Sequence, residues 1–135
     1  MTGRRTGVAM SPPRSTVSPA MRTTRRRWLV ALAVALLVQL VTVYSPGAPH
    51  GPEVSGLDKV VHLVIFAAPA LAGLAAGVPA RWLLTLLAIH APVSELVQWA
   101  ALPHRDGDVR DAAADLAGVL VGWLVFRGWR RSRRW

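Results

Sequence analysis

The chain has no cysteine among its 135 residues, so neither a disulfide framework nor thiolate chemistry is open to it. Acids are also scarce, seven Asp and Glu against sixteen Lys and Arg, for a formal charge of +9. Residues 1–27 hold seven Arg and no acid, residues 127–135 hold five Arg and no acid, and every acid lies between Glu53 and Asp115. A basic balance of this size first suggests a nucleic-acid partner. The basic runs flank apolar segments, however, with no recognisable nucleic-acid-binding fold between them, which sets that class aside. Internal repeats are not evident, and no segment shows the alternation of a barrel strand. Histidine and carboxylates are common metal ligands, which keeps a metal conceivable, but no HExxH or similarly compact spacing supports one, and no cofactor is implied.

What remains is a chain that is 53% hydrophobic with its charge segregated. That pattern belongs to a membrane protein whose loops are held in the cytoplasm by positive charge. Residues 1–27, rich in Pro, Ser, Thr and Arg without apolar periodicity, read as a disordered basic cytoplasmic tail. Met10 and Met21 are alternative starts within it. Residues 28–126 read as a four-helix transmembrane domain and residues 127–135 as a second basic cytoplasmic tail.

The first apolar segment is Trp28–Tyr44. Its length, about 26 Å at the helical rise, is near the lower limit for crossing a bilayer. A signal peptide is the competing reading, with a basic stretch followed by an apolar one. Ser45-Pro46-Gly47-Ala48-Pro49 contains no small-x-small site free of proline, which favours a retained helix. A Pro/Gly-rich loop over 45–57 leads to a second segment from about Asp58 to Ala76, with Pro69 expected to kink it. A tight turn over 77–81 precedes a third segment from Trp82 to about Leu102. The short polar loop 103–109 precedes a fourth, from about Arg110 to Phe126.

Thirteen of the sixteen basic residues fall in the two tails or the 77–81 turn. In a four-pass chain these regions share one side, so both termini are expected in the cytoplasm, with the 45–57 and 103–109 loops outside. Trp28, Trp82, Trp123 and Trp129 then lie toward the cytoplasmic interface, where indoles anchor helices.

Ionisable residues meet at the opposite end. Asp58, Lys59 and His62 open the second segment; Glu95 and Gln98 lie in the third; Arg105, Asp108, Asp111 and Asp115 lead into the fourth. Helical rise puts His62 about 6 Å, Glu95 about 10 Å and Asp115 about 9 Å from the outer ends of their helices. Steps of three and four place Asp58 with His62, Glu95 with Gln98, and Asp108 with Asp111 and Asp115 on common faces. Charge at a helix centre in lipid costs roughly 2.5–3.5 kcal/mol on insertion scales. The simplest arrangement that spares these groups from lipid is a polar pocket open to the outer face.

Asp58-Lys59-Val60-Val61-His62, Glu95-Leu96-Val97-Gln98, and the run from Pro103 through Arg105, Asp108, Asp111 and Asp115 to Gly118 resemble the VanZ-like membrane proteins. That family's pattern is DKxxH, then ExxQ, then PxRxxDxxDxxxDxxG, and the resemblance covers roughly residues 44–126. Many relatives carry a small residue where His104 stands. The resemblance implies a link to the cell envelope and to teicoplanin-type glycopeptide resistance, and leaves the chemistry open.

Each group also has a plainer reading. Asp58 favours the positive end of a helix dipole, and His62 can be a satisfied interior histidine. Glu95, expected deep with Trp99 and leucines around it, needs protonation or a cation, for which Lys59 and Arg105 are candidates. The aspartates can brace the fourth helix, and Arg105 with Asp108 can order the loop. His90 and Gln39 read as packing residues. Gly118-x-x-x-Gly122 lets another helix approach closely, either within the bundle or in a homodimer.

Three functions compete. In the first, the pocket recognises an amphiphile without catalysis, such as a lipid-linked cell-wall precursor or a lipoglycopeptide. In the second, Glu95, His62 and Asp115 perform intramembrane acid/base chemistry on an envelope lipid. In the third, the polar network only specifies the packing of a partner subunit. Recognition is the leading expectation, with the lipid bilayer as the surrounding partner and no bound metal.

Overall fold

The structure, a computed structural model, describes residues 19–45, 56–102 and 107–133. These residues form four α-helices: α1 Pro19–Tyr44, α2 Leu57–Ala75, α3 Ala80–Ala101 and α4 Val109–Ser132. The described residues contain no strand. Of the four, α1, α2 and α3 are each long and apolar enough to cross a membrane.

Two boundaries differ from the sequence reading. Residues 19–27, assigned above to a disordered tail, are the first turns of α1. Pro19 suits a first helical position, where no amide donor is needed. Ala20, Met21 and the following arginines are good helix formers, and extending a formed helix costs far less than nucleating one. Residues 1–18 lie outside the described residues. At the other end α4 runs past Phe126 to Ser132, with Arg130 and Arg131 in its last turn, where cations complement the helix dipole. The end of α3 needs no such revision: Leu102 is extended, at φ −103° and ψ 127°, as expected of a residue that precedes a proline.

Cross-helix contacts give an up-down-up-down bundle. His62 meets Glu95 near the start of α2 and the end of α3, and Leu83 approaches Gly73 at their other ends. Lys59 meets Asp111 and His62 meets Asp115, so α2 and α4 run parallel. Arg25 at the start of α1 donates to the Ala76 carbonyl at the end of α2, at 3.3 Å.

Helix α2 is the hub, packing most extensively against α4 and next against α1. The α2–α4 contact is close because α4 presents glycine there. A Cβ on Gly118 would overlap the Leu63 carbonyl, and one on Gly122 would stand 2.9 Å from the Ala70 Cβ. Both glycines are buried. The pair thus lets α2 approach α4 closely inside the bundle, one of the two roles foreseen for it.

The core gathers around fully buried Phe66 and Val43 with Leu74, Leu87 and Ala91. Pro69 is also buried inside α2. As a proline it leaves the Ile65 carbonyl without its usual donor. Outside this core, Val34, Leu37 and Val38 of α1, Leu86, Ile89 and Leu96 of α3, and Val125 of α4 are half or more exposed. So many exposed large apolar side chains on long helices are unusual for a water-soluble protein; a bilayer supplies the matching solvent.

Candidate functional site

The polar residues of three helices converge where α2 and α4 begin and α3 ends. Helix α4 opens with Asp108 as N-cap, its Oδ1 accepting from the Arg110 amide at 2.8 Å. This fixes the register that turns buried Asp111 and Asp115 toward α2. Lys59 Nζ lies 3.2 Å from Asp111 Oδ1 and 3.8 Å from Asp108 Oδ2, half-exposed at the rim.

One turn deeper is His62, whose side chain is 4% exposed. Its Nδ1 lies 2.9 Å from Asp115 Oδ1 and 3.8 Å from Glu95 Oε1, and its Nε2 lies 3.8 Å from Asp58 Oδ1. Asp115 is fully buried, and its second oxygen, Oδ2, has no hydrogen-bond partner among the described residues. Glu95 is held by two donors: Gln98 Nε2 to Oε1 at 3.1 Å and the Asp108 amide to Oε2 at 3.0 Å. The second of these needs the chain before α4 to lie directly on α3. Gly107 permits that, since a Cβ there would collide with the Glu95 carbonyl and stand 2.9 Å from Trp99 Cβ.

The faces foreseen from spacing are thus the faces used. Asp58, Lys59, His62, Glu95, Gln98, Asp108, Asp111 and Asp115 all belong to one cluster. Arg105 lies outside the described residues, as does His104. Two details differ from expectation. Lys59, a candidate partner for Glu95, pairs with Asp108 and Asp111 instead, because α2 packs mainly on α4. Trp99 and Leu96 are not the surroundings of the Glu95 carboxylate; they are 70% and 59% exposed while Ser94, Glu95 and Gln98 face inward.

A second polar group joins α1 to α3. Tyr44 Oη lies 3.0 Å from His90 Nε2, and fully buried Gln39 approaches His90 Nδ1 at 3.5 Å. Phe66 stacks on the His90 ring, with centroids 5.5 Å apart. Gln39 and His90 were read from sequence as packing residues, and Tyr44 was not singled out. The available signal was the single side-chain amide in the apolar stretch Trp28–Tyr44 of α1, which in lipid needs a partner. Elsewhere, Arg27, Val30 and Val34 of α1 with Val64 and Ala68 of α2 line an apolar cavity of about 500 Å³.

Chemically, the main cluster sets five carboxylates beside Lys59 and His62. Such an excess of acceptors suits a cation, an ammonium or a hydroxyl-bearing ligand, with Lys59 placed at the rim for an anionic group. His62 with Asp115 and Glu95 also has the makeup of an acid/base centre. Compared with protein-family models, with curated proteins and with solved structures, the chain gives no match. The likeness to VanZ-like proteins therefore rests on the three motifs themselves.

Proposed function

We propose that this is a VanZ-like integral membrane protein that recognises an amphiphilic envelope molecule without transforming it. The molecule would be a lipid-linked cell-wall precursor or a lipoglycopeptide, and the outcome a contribution to envelope integrity or teicoplanin-type resistance. The observation that carries the reading is the convergence of three helices' ionisable groups at one end of an otherwise apolar bundle, with carboxylates in excess. Groups so costly to keep in lipid are retained for a ligand. In this reading the chain crosses the membrane four times with both termini in the cytoplasm. The cluster opens outward as a pocket, where its carboxylates take amino or hydroxyl groups while Lys59 and Arg105 take phosphate or carboxylate.

The test is mass spectrometry of lipids and small molecules carried by the full-length protein in mild detergent. A polyprenyl-linked species should co-purify with the wild type and be lost from Glu95→Gln at equal membrane abundance. Teicoplanin protection should fall with it. Protection that tracks abundance in every variant would reduce the cluster to scaffolding. Reporter fusions after Trp135 and within residues 47–55 test the topology, and an external C-terminus would overturn the four-pass arrangement.

The 2.9 Å contact of His62 with buried Asp115, with Glu95 at 3.8 Å, favours a second reading. It is an intramembrane acid/base enzyme acting on an envelope lipid. A chemically altered lipid that accumulates only with active protein would select this reading.

A further inference from the structure

We propose that His62, Glu95 and Asp115 bind one divalent transition-metal ion. The inference rests on the reading that this end of the bundle is a ligand site, and it names the ligand held in its most buried part.

One ligand atom from each residue lies within 4.8 Å of the others, and all three residues are buried. Imidazole and carboxylate bonds to such ions are about 2.0–2.2 Å, so donors up to about 4.2 Å apart can share one ion. His62 Nδ1 stands 2.9 Å from Asp115 Oδ1 and 3.8 Å from Glu95 Oε1, both inside that reach, and with all three atoms within 4.8 Å of one another a small side-chain shift closes the set. The charge also fits. Neutral His62 with two carboxylates leaves two negative charges, which a divalent ion cancels. Without an ion, even a charged His62 leaves one carboxylate uncompensated among the described residues, since Lys59 is engaged by Asp108 and Asp111.

The independent sign is Asp115 itself. It is fully buried, yet Oδ2 accepts no hydrogen bond among the described residues. Buried carboxylate oxygens of this kind take a proton, a water or a cation.

The surroundings are those of ligands held in place. Asp58 Oδ1 lies 3.8 Å from His62 Nε2, close to where a carboxylate orients a ligating histidine through its other nitrogen. Gln98 and the Asp108 amide hold both oxygens of Glu95. A ligating Nδ1 must carry no proton, so the neutral ring holds its one proton on Nε2, facing Asp58. A neighbouring group, Asp58, His62 and Asp111, also has ligand spacing. It is the weaker alternative because the Lys59 ammonium already occupies Asp111 at 3.2 Å. One imidazole with two carboxylates points to zinc, manganese or iron rather than magnesium or calcium.

The experiment strips full-length protein in mild detergent with a chelator and titrates it with Co²⁺, with Zn²⁺ as competitor. Visible cobalt absorption should saturate at about one ion per chain and be displaced by zinc. Glu95→Gln and Asp115→Asn should abolish it at unchanged helix content. Asp58→Asn should weaken binding by about 10–100-fold. That side chain is 60% exposed, so this variant keeps the test decisive if the buried ones do not fold. Absence of absorption in the wild type overturns the assignment. So does unchanged affinity in Asp58→Asn, or loss in Asp111→Asn with retention in Glu95→Gln and Asp115→Asn. A wild type that carries an amphiphile but no metal ends this inference and leaves recognition standing; metal without an amphiphile does the reverse.

Discussion

At the end of the bundle where α2 and α4 begin, charge is taken out of solvent and set against charge on other helices. Asp115 and His62 are buried within 2.9 Å of each other. At the opposite end, charge is as dense but stays outside. Arg127 and Arg130 of α4 and Arg133 just past its end lie over the rings of Trp123, Phe126 and Trp129, and Arg81 over Trp82, each pair local in sequence. Between helices there, Arg25 donates to the Ala76 carbonyl and Trp28 meets Trp129, with ring centroids 5.6 Å apart. The contrast separates two uses of ionisable residues in lipid. Exposed arginines on aromatic faces anchor an interface and depend on neighbours along one helix. Buried groups depend on partners that three different helices must deliver together, so a single loss there should cost much more.

Asp115→Ala tests that difference most strongly. Removing one partner of a buried pair should cost about 3–5 kcal/mol, seen as a large drop in melting temperature in detergent. A loss no larger than that of the arginine variants would erase the distinction between the two ends.

Gly118→Val breaks the contact that aligns α2 with α4. Overpacking should cost about 1–3 kcal/mol and should separate Lys59 from Asp111 and His62 from Asp115 together. Thermal unfolding and cobalt binding should therefore fall in parallel.

At the rim of the polar end, Asp108→Ala should cost about 1 kcal/mol for the lost cap, and Asp108→Asn much less because asparagine also caps. If Asp108 lines the ligand site, ligand retention should nonetheless fall in Asp108→Asn at unchanged melting temperature.

Arg133→Ala sets the scale of the basic end. Loss of one exposed cation–π contact should cost about 0.5–1 kcal/mol. Membrane abundance and metal binding should be unchanged.

Much of the polar end was legible beforehand because helical spacing is local. Asp58 with His62, and Glu95 with Gln98, share a face by arithmetic alone, and in the structure they stand 3.8 Å and 3.1 Å apart. The partner of Lys59 was not legible. Asp111 lies 52 positions away, and only the packing of α2 on α4, set by Gly118 and Gly122, brings them together. The Gln39–His90–Tyr44 group was hidden for the same reason, since each residue looks isolated within its own helix. The helical state of residues 19–27 was missed because composition speaks for a tail, whereas continuity with a strong helix decides the outcome.

By itself the sequence determined an all-helical chain with apolar spans, basic ends and one end rich in carboxylates. Those properties follow from composition and from a period of 3.6 residues, and neither needs a partner. Only the tertiary structure decided which acid meets which base. It paired His62 with Asp115, gave Lys59 to Asp111 and left Glu95 to Gln98 and the Asp108 amide. The physical reason is range. A helix face is set by neighbours three and four residues away, whereas a buried pair is set by how closely two backbones pack, and here two glycines on α4 set that distance.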